Sequence, residues 1–412
     1  MSIAKRRRPI TRRSALGRMA AGVTGTFAGV RLALAQSPKP PGGPVEKLPG
    51  GAEIWQVTTE ELDQSNIYCE VPYCSRDSRY FVYQRRNPKL SGNRYEFMVV
   101  ELGTWKQHRL DVSIGLSGCA MRPDGVFYYL KRSGTKDLDL MKADLCEGKP
   151  EKVYELGDGP WRALGTVSSD GRYYLRSNTL DEKSTVFGIV LFDLKERAAR
   201  VIDRDPFTLN AHPQIEPGPG RWAMIQHNRG GRCKPDGSIE RLVGPEGATL
   251  YVLSLPEGKR TELPVGKPHT TPCTGHEAWI GTTGEMLLSV SASGDYAPEK
   301  GNLLGVRPGG AARVVAKGYR FNHVGVSRCG RFFSCDDWRP PYPVVIGSIQ
   351  TGRTAVVCES KTKPTRSQNT HPHAYLTPDL KWVIFNSNRG GFAHVYAASV
   401  PEGMIEELSL KG

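Results

Sequence analysis

The chain has 412 residues, of which 56 are basic and 42 acidic, giving a formal charge of +14 at neutral pH. Length alone allows one large domain or two to three ordinary ones. Eight of the basic residues (Lys5, Arg6, Arg7, Arg8, Arg12, Arg13, Arg18 and Arg31) lie in the first 35 positions, which hold no acid, so the remainder carries only +6; with no basic stripe interleaved with aromatics, this speaks against nucleic acid and would suit an anionic polysaccharide.

In chain order, Thr11-Arg12-Arg13-Ser14-Ala15-Leu16 is a twin-arginine pattern, followed by a weakly apolar stretch and the small-residue run Ala33-Leu34-Ala35. Residues 1–35 therefore read as a removable Tat signal, which predicts export of the folded protein through the Tat machinery to the periplasm or beyond. No other apolar run is long enough to span a bilayer, so no membrane anchor is expected. Residues 36–50, rich in proline and glycine, read as a flexible leader, and residues 51–412 as one domain.

That domain repeats. A strand, a tight turn and a second strand recur as CSRDSRYFVY, MRPDGVFYYL, VSSDGRYYLR, EPGPGRWAMI, IGTTGEMLLS, SRCGRFFSCD and LTPDLKWVIF. The turns fall at Asp77, Asp124, Asp170, Pro219, Thr283, Cys329 and Asp379, at steps of 47, 46, 49, 64, 46 and 50 residues. Each step has room for four short strands, and a period of about 40 to 50 with four strands per unit is the mark of a β-propeller. The expected fold is all-β, a seven-bladed β-propeller of four antiparallel strands per blade, with an insertion near Arg232 to Gly247 in the long step. Asn228-Arg229-Gly230-Gly231 and Asn388-Arg389-Gly390-Gly391 mark matching turns after the second strand of two repeats.

Nine cysteines are scattered without a zinc-finger pair. Cys69 with Cys74, or Cys329 with Cys335, are the nearest candidates for a disulfide, but most are expected to be small buried apolar groups.

The histidines are not scattered. Counted back from the turn, His212 and His276 stand at minus seven, His323 at minus six, and His371 and His373 at minus eight and minus six. The segment before each turn should be the innermost strand of its blade, so these five, from four consecutive repeats, are expected at one level of the central channel. The strand period of two points His371 and His373 to one side. Neutral imidazoles with the amide of Gln368 make a nitrogen and oxygen set suited to Mn, Zn, Fe or Ni. His212 alone could be a hydrogen-bonded structural residue, and His108, His227, His269 and His394 read as surface or turn residues.

Gln368-Asn369-Thr370-His371-Pro372-His373, with Leu376-Thr377-Pro378 and Val383-Ile384-Phe385 behind it, resembles the last-blade motif of the oligogalacturonate lyases. Cys273-Thr274-Gly275-His276-Glu277-Ala278-Trp279 and Asn322-His323 resemble two shorter motifs of that family. The resemblance implies a pectin-degrading lyase that cleaves short α-1,4-linked galacturonate oligomers by β-elimination and leaves 4,5-unsaturated uronate products. It implies Mn²⁺, or another divalent transition metal, held by His323, Gln368, His371 and His373, with His276 as catalytic base. Thr249 stands where the family has an assisting arginine; Arg229 or Arg232 could supply that charge from a neighbouring turn, and Arg229 is taken as the candidate.

Two other functions fit the same fold. One is a lyase for another uronic-acid polymer, which would share the chemistry. The other is a non-catalytic, TolB-like periplasmic binding propeller, which would leave the histidine register without a purpose. No GxSxG elbow supports a serine hydrolase.

Overall fold

The computed structural model describes residues 41–135, 137–157 and 161–410. The Tat signal, residues 1–35, and the first residues of the leader lie outside them.

Among the described residues the strands form seven antiparallel blades. Blade one runs outward through Gln64–Asn66, Tyr80–Arg86, Tyr95–Glu101 and Gln107–Ser113, and blades two and three repeat this order. Blades four and five begin at Gln214–Ile215 and Cys273–Trp279 and touch through one bridge between Ala248 and Cys273. Blade six begins at Gly325–Val326. Blade seven takes Tyr375–Leu376, Trp382–Ser387 and His394–Ser399 from the end of the chain and Glu53–Gln56 from its start, with Ile54 opposite Ala398. This exchange closes the ring and leaves no open edge between first and last blades. Glu46–Lys47, within the stretch read as a leader, pairs with Glu53–Gln56, and Glu46 bridges to Lys361 and Arg389.

All seven predicted turns lie between the first and second strands of their blades. In three of them a hydroxyl two residues before the aspartate donates to it, as Ser75 Oγ does to Asp77 Oδ1 at 2.6 Å, and the backbone N–H two residues after does the same. The short side chain thus closes the turn with bonds that lie within a few residues of one another in sequence. Middle strands such as Phe97–Val100, Leu250–Leu253 and Val383–Phe385 are buried on both faces, because each blade packs between two others. The long step contains the expected insertion, a hairpin of Arg232–Cys233 and Ile239–Arg241. No helix among the described residues is long and apolar enough to cross a membrane. All nine cysteines are free thiols, seven of them buried.

Each inner strand starts at one mouth of the channel and runs to its turn at the other. A cavity of about 400 Å³ opens at the turn end, lined by groups such as Met121, Ile215, Trp279 and Cys329. None of the five aligned histidines lines it; they stand at the opposite end.

Candidate metal centre

Three histidines from two blades converge. The ligand nitrogens of His323, His371 and His373 lie within 4.8 Å of one another. His323 precedes the inner strand of blade six, and the other two precede that of blade seven.

Hydrogen bonds set the tautomer that each of two rings adopts in its neutral form. His323 Nδ1 lies 2.8 Å from Asp336 Oδ1 and donates to it, because a carboxylate only accepts, so the neutral ring has a bare Nε2. His371 Nε2 lies 2.9 Å from the Thr365 carbonyl and must also donate, which leaves Nδ1 bare. These two bare nitrogens face each other at 3.3 Å. Two lone pairs at that distance repel unless a cation stands between or beside them. His373 Nε2 is buried and has no hydrogen-bond partner, an arrangement that costs about 1–3 kcal/mol unless something binds there. The residues therefore fit a divalent metal that takes imidazole nitrogen.

The surroundings reinforce this. His373 has a left-handed backbone, φ +43°, unusual for a side chain of this size and typical of strained functional positions. A pair of buried amides holds the strain in place. Asn66 Nδ2 donates to the His373 carbonyl at 2.7 Å, Asn386 Nδ2 to the His371 carbonyl at 3.2 Å, and the two amides bond to each other at 2.9 Å. Burial pushes His373 well below the usual histidine range, helped by the neighbouring rings, and lowers His371 in the same way. Both are held neutral, the form that binds metal.

Asp336 was not anticipated from sequence. It also accepts the His323 backbone N–H at 2.9 Å and is fully buried. A carboxylate behind a metal-binding imidazole sets its tautomer and basicity, and its loss typically costs ten- to a hundredfold in affinity. Asp336→Asn is accordingly expected to weaken Mn²⁺ binding by about that factor in titration calorimetry; unchanged affinity would remove Asp336 from the site.

His276 stands beside this group, its ring centroid 4.3 Å from that of His323. Its Nδ1 is 3.1 Å from the Tyr68 hydroxyl, and Tyr68 in turn packs on His373 and His212, at ring centroids of 4.4 and 5.6 Å. Burial, then the neighbouring imidazoles, hold His276 well below the usual range, while burial takes His212 down to about 4. The strand here is irregular. Cys273 pairs with Val290 but Glu277 with Leu288, and Gly275 between them has φ +88°, so alternation cannot be counted across it. The neighbouring Glu277 does not bond to His276; Tyr68 does.

Glu277 is instead a buried carboxyl with no partner for either oxygen. Burial, and secondarily Glu70, raise it from 4.5 to about 8. Between those two pH values the native protein holds a proton that the unfolded chain has lost, so stability falls as pH rises across that window. The neutral Glu277→Gln variant is expected to melt several degrees above wild type at pH 9 and level with it near pH 4. A melting difference independent of pH would contradict this.

Other sequence expectations are redistributed. Gln368 has an exposed side chain on a short 3-10 turn, Gln368–Thr370, whose first carbonyl accepts the His371 N–H at 3.1 Å; its amide makes no hydrogen bond to the imidazoles. Arg229 is occupied elsewhere: its guanidinium donates to the carbonyls of Gly247, Lys267 and Glu246 at 2.8–3.0 Å. Arg389, its counterpart in the second Asn-Arg-Gly-Gly turn, grips the carbonyls of Ser360 and Glu359 in the same way. The Arg229 N–H groups thus join backbone segments. Thr249 is buried and donates to the Val265 carbonyl. His227 and His394, read as surface or turn residues, are buried, against Asp205 at 3.0 Å and Thr58 at 3.2 Å. His108 and His269 are exposed as expected.

No sequence-family profile matches the chain, and no curated protein matches it by sequence. Its fold is similar to solved structures. An oligogalacturonate lyase from Vibrio parahaemolyticus superposes with a TM-score of 0.65 at 16% identity, over 87% of this chain and 96% of the other. An oligogalacturonate lyase in complex with manganese also gives 0.65, at 17% identity, over 88% of this chain and 96% of the other.

Proposed function

We propose that the protein is a metal-dependent polysaccharide lyase that cleaves short α-1,4-linked galacturonate oligomers by β-elimination. The observation that carries this reading is the convergence of bare nitrogens from His323 and His371 with the partnerless Nε2 of His373, beside a fourth imidazole, His276. The fold similarity to two oligogalacturonate lyases supports it.

Mn²⁺ is the expected ion, and Gln368, on the turn before His371, would complete the set only by swinging its exposed amide inward. A divalent cation held there supplies the positive charge that offsets a uronate carboxylate and makes the adjacent C5–H acidic enough to remove. His276, neutral in this environment, takes that proton. Tyr68 holds the His276 ring by its Nδ1, so that with Tyr68 accepting, Nε2 keeps its lone pair. The C5–H electron pair forms the C4–C5 double bond as the C4–O bond breaks, and the glycosidic oxygen leaves with the next sugar as an alkoxide that takes a proton from water, while protonated His276 returns its proton to solvent. Charge balance supports an anionic substrate, and the Tat leader would carry this activity out of the cytoplasm.

The test is ultraviolet absorbance of the unsaturated uronate product. Purified protein with Mn²⁺ is mixed with galacturonate oligomers and, in parallel, with other uronate polymers. A metal-dependent rise on galacturonate is expected. A rise only on another polymer overturns the substrate, and no rise on any, with metal bound, overturns the lyase.

A further inference from the structure

The histidine mouth carries a second set of groups that the metal centre leaves unused, and they flank His371 on two sides. On one side the half-buried Trp338 indole stands edge-on to His371 and to His323, at ring centroids of 5.1 Å in each case. It sits on the loop that leaves Phe332–Asp336, the strand that positions Asp336. On the other side the Thr365 carbonyl takes the His371 Nε2–H at 2.9 Å. Thr365 belongs to the connector Lys361-Thr362-Lys363-Pro364-Thr365-Arg366-Ser367, which has three cations and no acid.

Those cations are not equivalent. Lys361 is paired with Glu46 at 2.8 Å. Lys363 and Arg366 are exposed and make no ion pair among the described residues, whereas Arg339 on the Trp338 loop is spent on Asp337. The connector is also internally braced. Thr362 Oγ1 donates to the Thr370 carbonyl at 2.6 Å, Thr365 N–H to Thr370 Oγ1 at 2.9 Å, and Thr370 Oγ1 to the Ser367 carbonyl at 2.8 Å. A free guanidinium is therefore carried on fixed backbone, one residue from the carbonyl that orients a metal-binding imidazole.

We propose that Trp338 and Arg366, with Lys363 in support, form a subsite for the acidic sugar next to the one held at the histidines. The apolar face of the sugar ring lies against the indole, and its carboxylate meets the guanidinium as a paired two-point contact. This deepens the uronate-lyase reading and rests on it for the class of ligand. It makes charge the selective feature: a neutral oligosaccharide would find the indole but leave Arg366 without a counter-charge.

The experiment is titration calorimetry of the Mn²⁺-loaded full-length protein carrying His276→Ala, so that ligand is not consumed. Trigalacturonate, oligomers of other uronates, and neutral maltotriose are the probes. Arg366→Ala is expected to weaken binding of acidic oligomers about tenfold, Arg366→Lys to restore part of it, and Mn²⁺ affinity to stay unchanged. Trp338→Phe should retain binding and Trp338→Ala lose it, with Mn²⁺ affinity measured for each. Arg331→Ala, at the other end of the channel, is the charge control and should have no effect. Acidic-oligomer binding that is absent, or unaltered by Arg366→Ala, overturns the subsite. The two readings fail separately: product formation with an unchanged KM in Arg366→Ala sinks the subsite alone, while uronate binding lost with Arg366 but no product in wild type sinks the lyase alone.

Discussion

His373→Ala is expected to lower Mn²⁺ affinity by at least the roughly tenfold to hundredfold that losing an outer-shell partner costs, and to erase the rise in melting temperature that Mn²⁺ is expected to give the wild-type protein. The expectation follows from what His373 does without a metal. Its Nε2 is buried with no partner, and its backbone is left-handed. Neither feature stabilises the fold, and both make sense for a residue placed to bind something. The backbone is held by Asn66 and Asn386 through main-chain carbonyls, so those bonds survive removal of the imidazole. The variant should therefore fold and show its defect in metal binding. Calorimetric titration with Mn²⁺ and melting with and without the ion give the answer. Retained affinity with lowered metal-free stability would make His373 a packing residue and leave the site with two ligands.

Much of the fold was legible because a propeller writes itself as a period. The strand, turn, strand unit returns seven times, and its turns are closed by local hydroxyl and aspartate bonds that a short sequence window contains. The histidine level was legible for the same reason, since a count from the turn is a count along an inner strand. The count could have been taken further. In blade six Gly325 faces Ser334, and carrying that register two residues back sets His323 opposite Asp336. In blade seven Tyr375 faces Ile384, and the same step sets His373 opposite Asn386. Both supporting residues were thus readable by symmetry about Cys329 and Asp379.

Tyr68 was not readable this way. In blade one Asn66 pairs with Tyr83, but Cys74 with Phe81, so extra residues loop out between them and carry Tyr68 into the channel out of register. Arg229 misled for a different reason. A glycine-rich turn suggests exposure, but a guanidinium can reach back and collect carbonyls from adjoining segments, and those segments come from distant sequence. The burial of His227 and His394 is likewise set by packing between strands, which turn counting does not see.

The second large effect is expected at His276. His276→Ala should lower kcat by roughly a hundredfold to ten-thousandfold, the range for loss of a positioned base, while Mn²⁺ affinity is preserved, because none of the nitrogens that converge for the metal belongs to it. The pH profile should carry a signature of the site. Burial and the adjacent imidazoles hold His276 well below the ordinary histidine value; a base with a lowered pKa stays unprotonated as pH falls, so activity should persist into mild acid and decline only below the usual histidine range. Tyr68→Phe removes the one hydrogen bond to Nδ1, frees the ring to rotate and change tautomer, and should cost about tenfold in kcat with little change in KM. Product absorbance across pH for wild type and both variants separates the possibilities. An undiminished kcat in His276→Ala would move the base elsewhere in the channel, and Tyr68, whose hydroxyl already lies against that imidazole, would be the next residue to test.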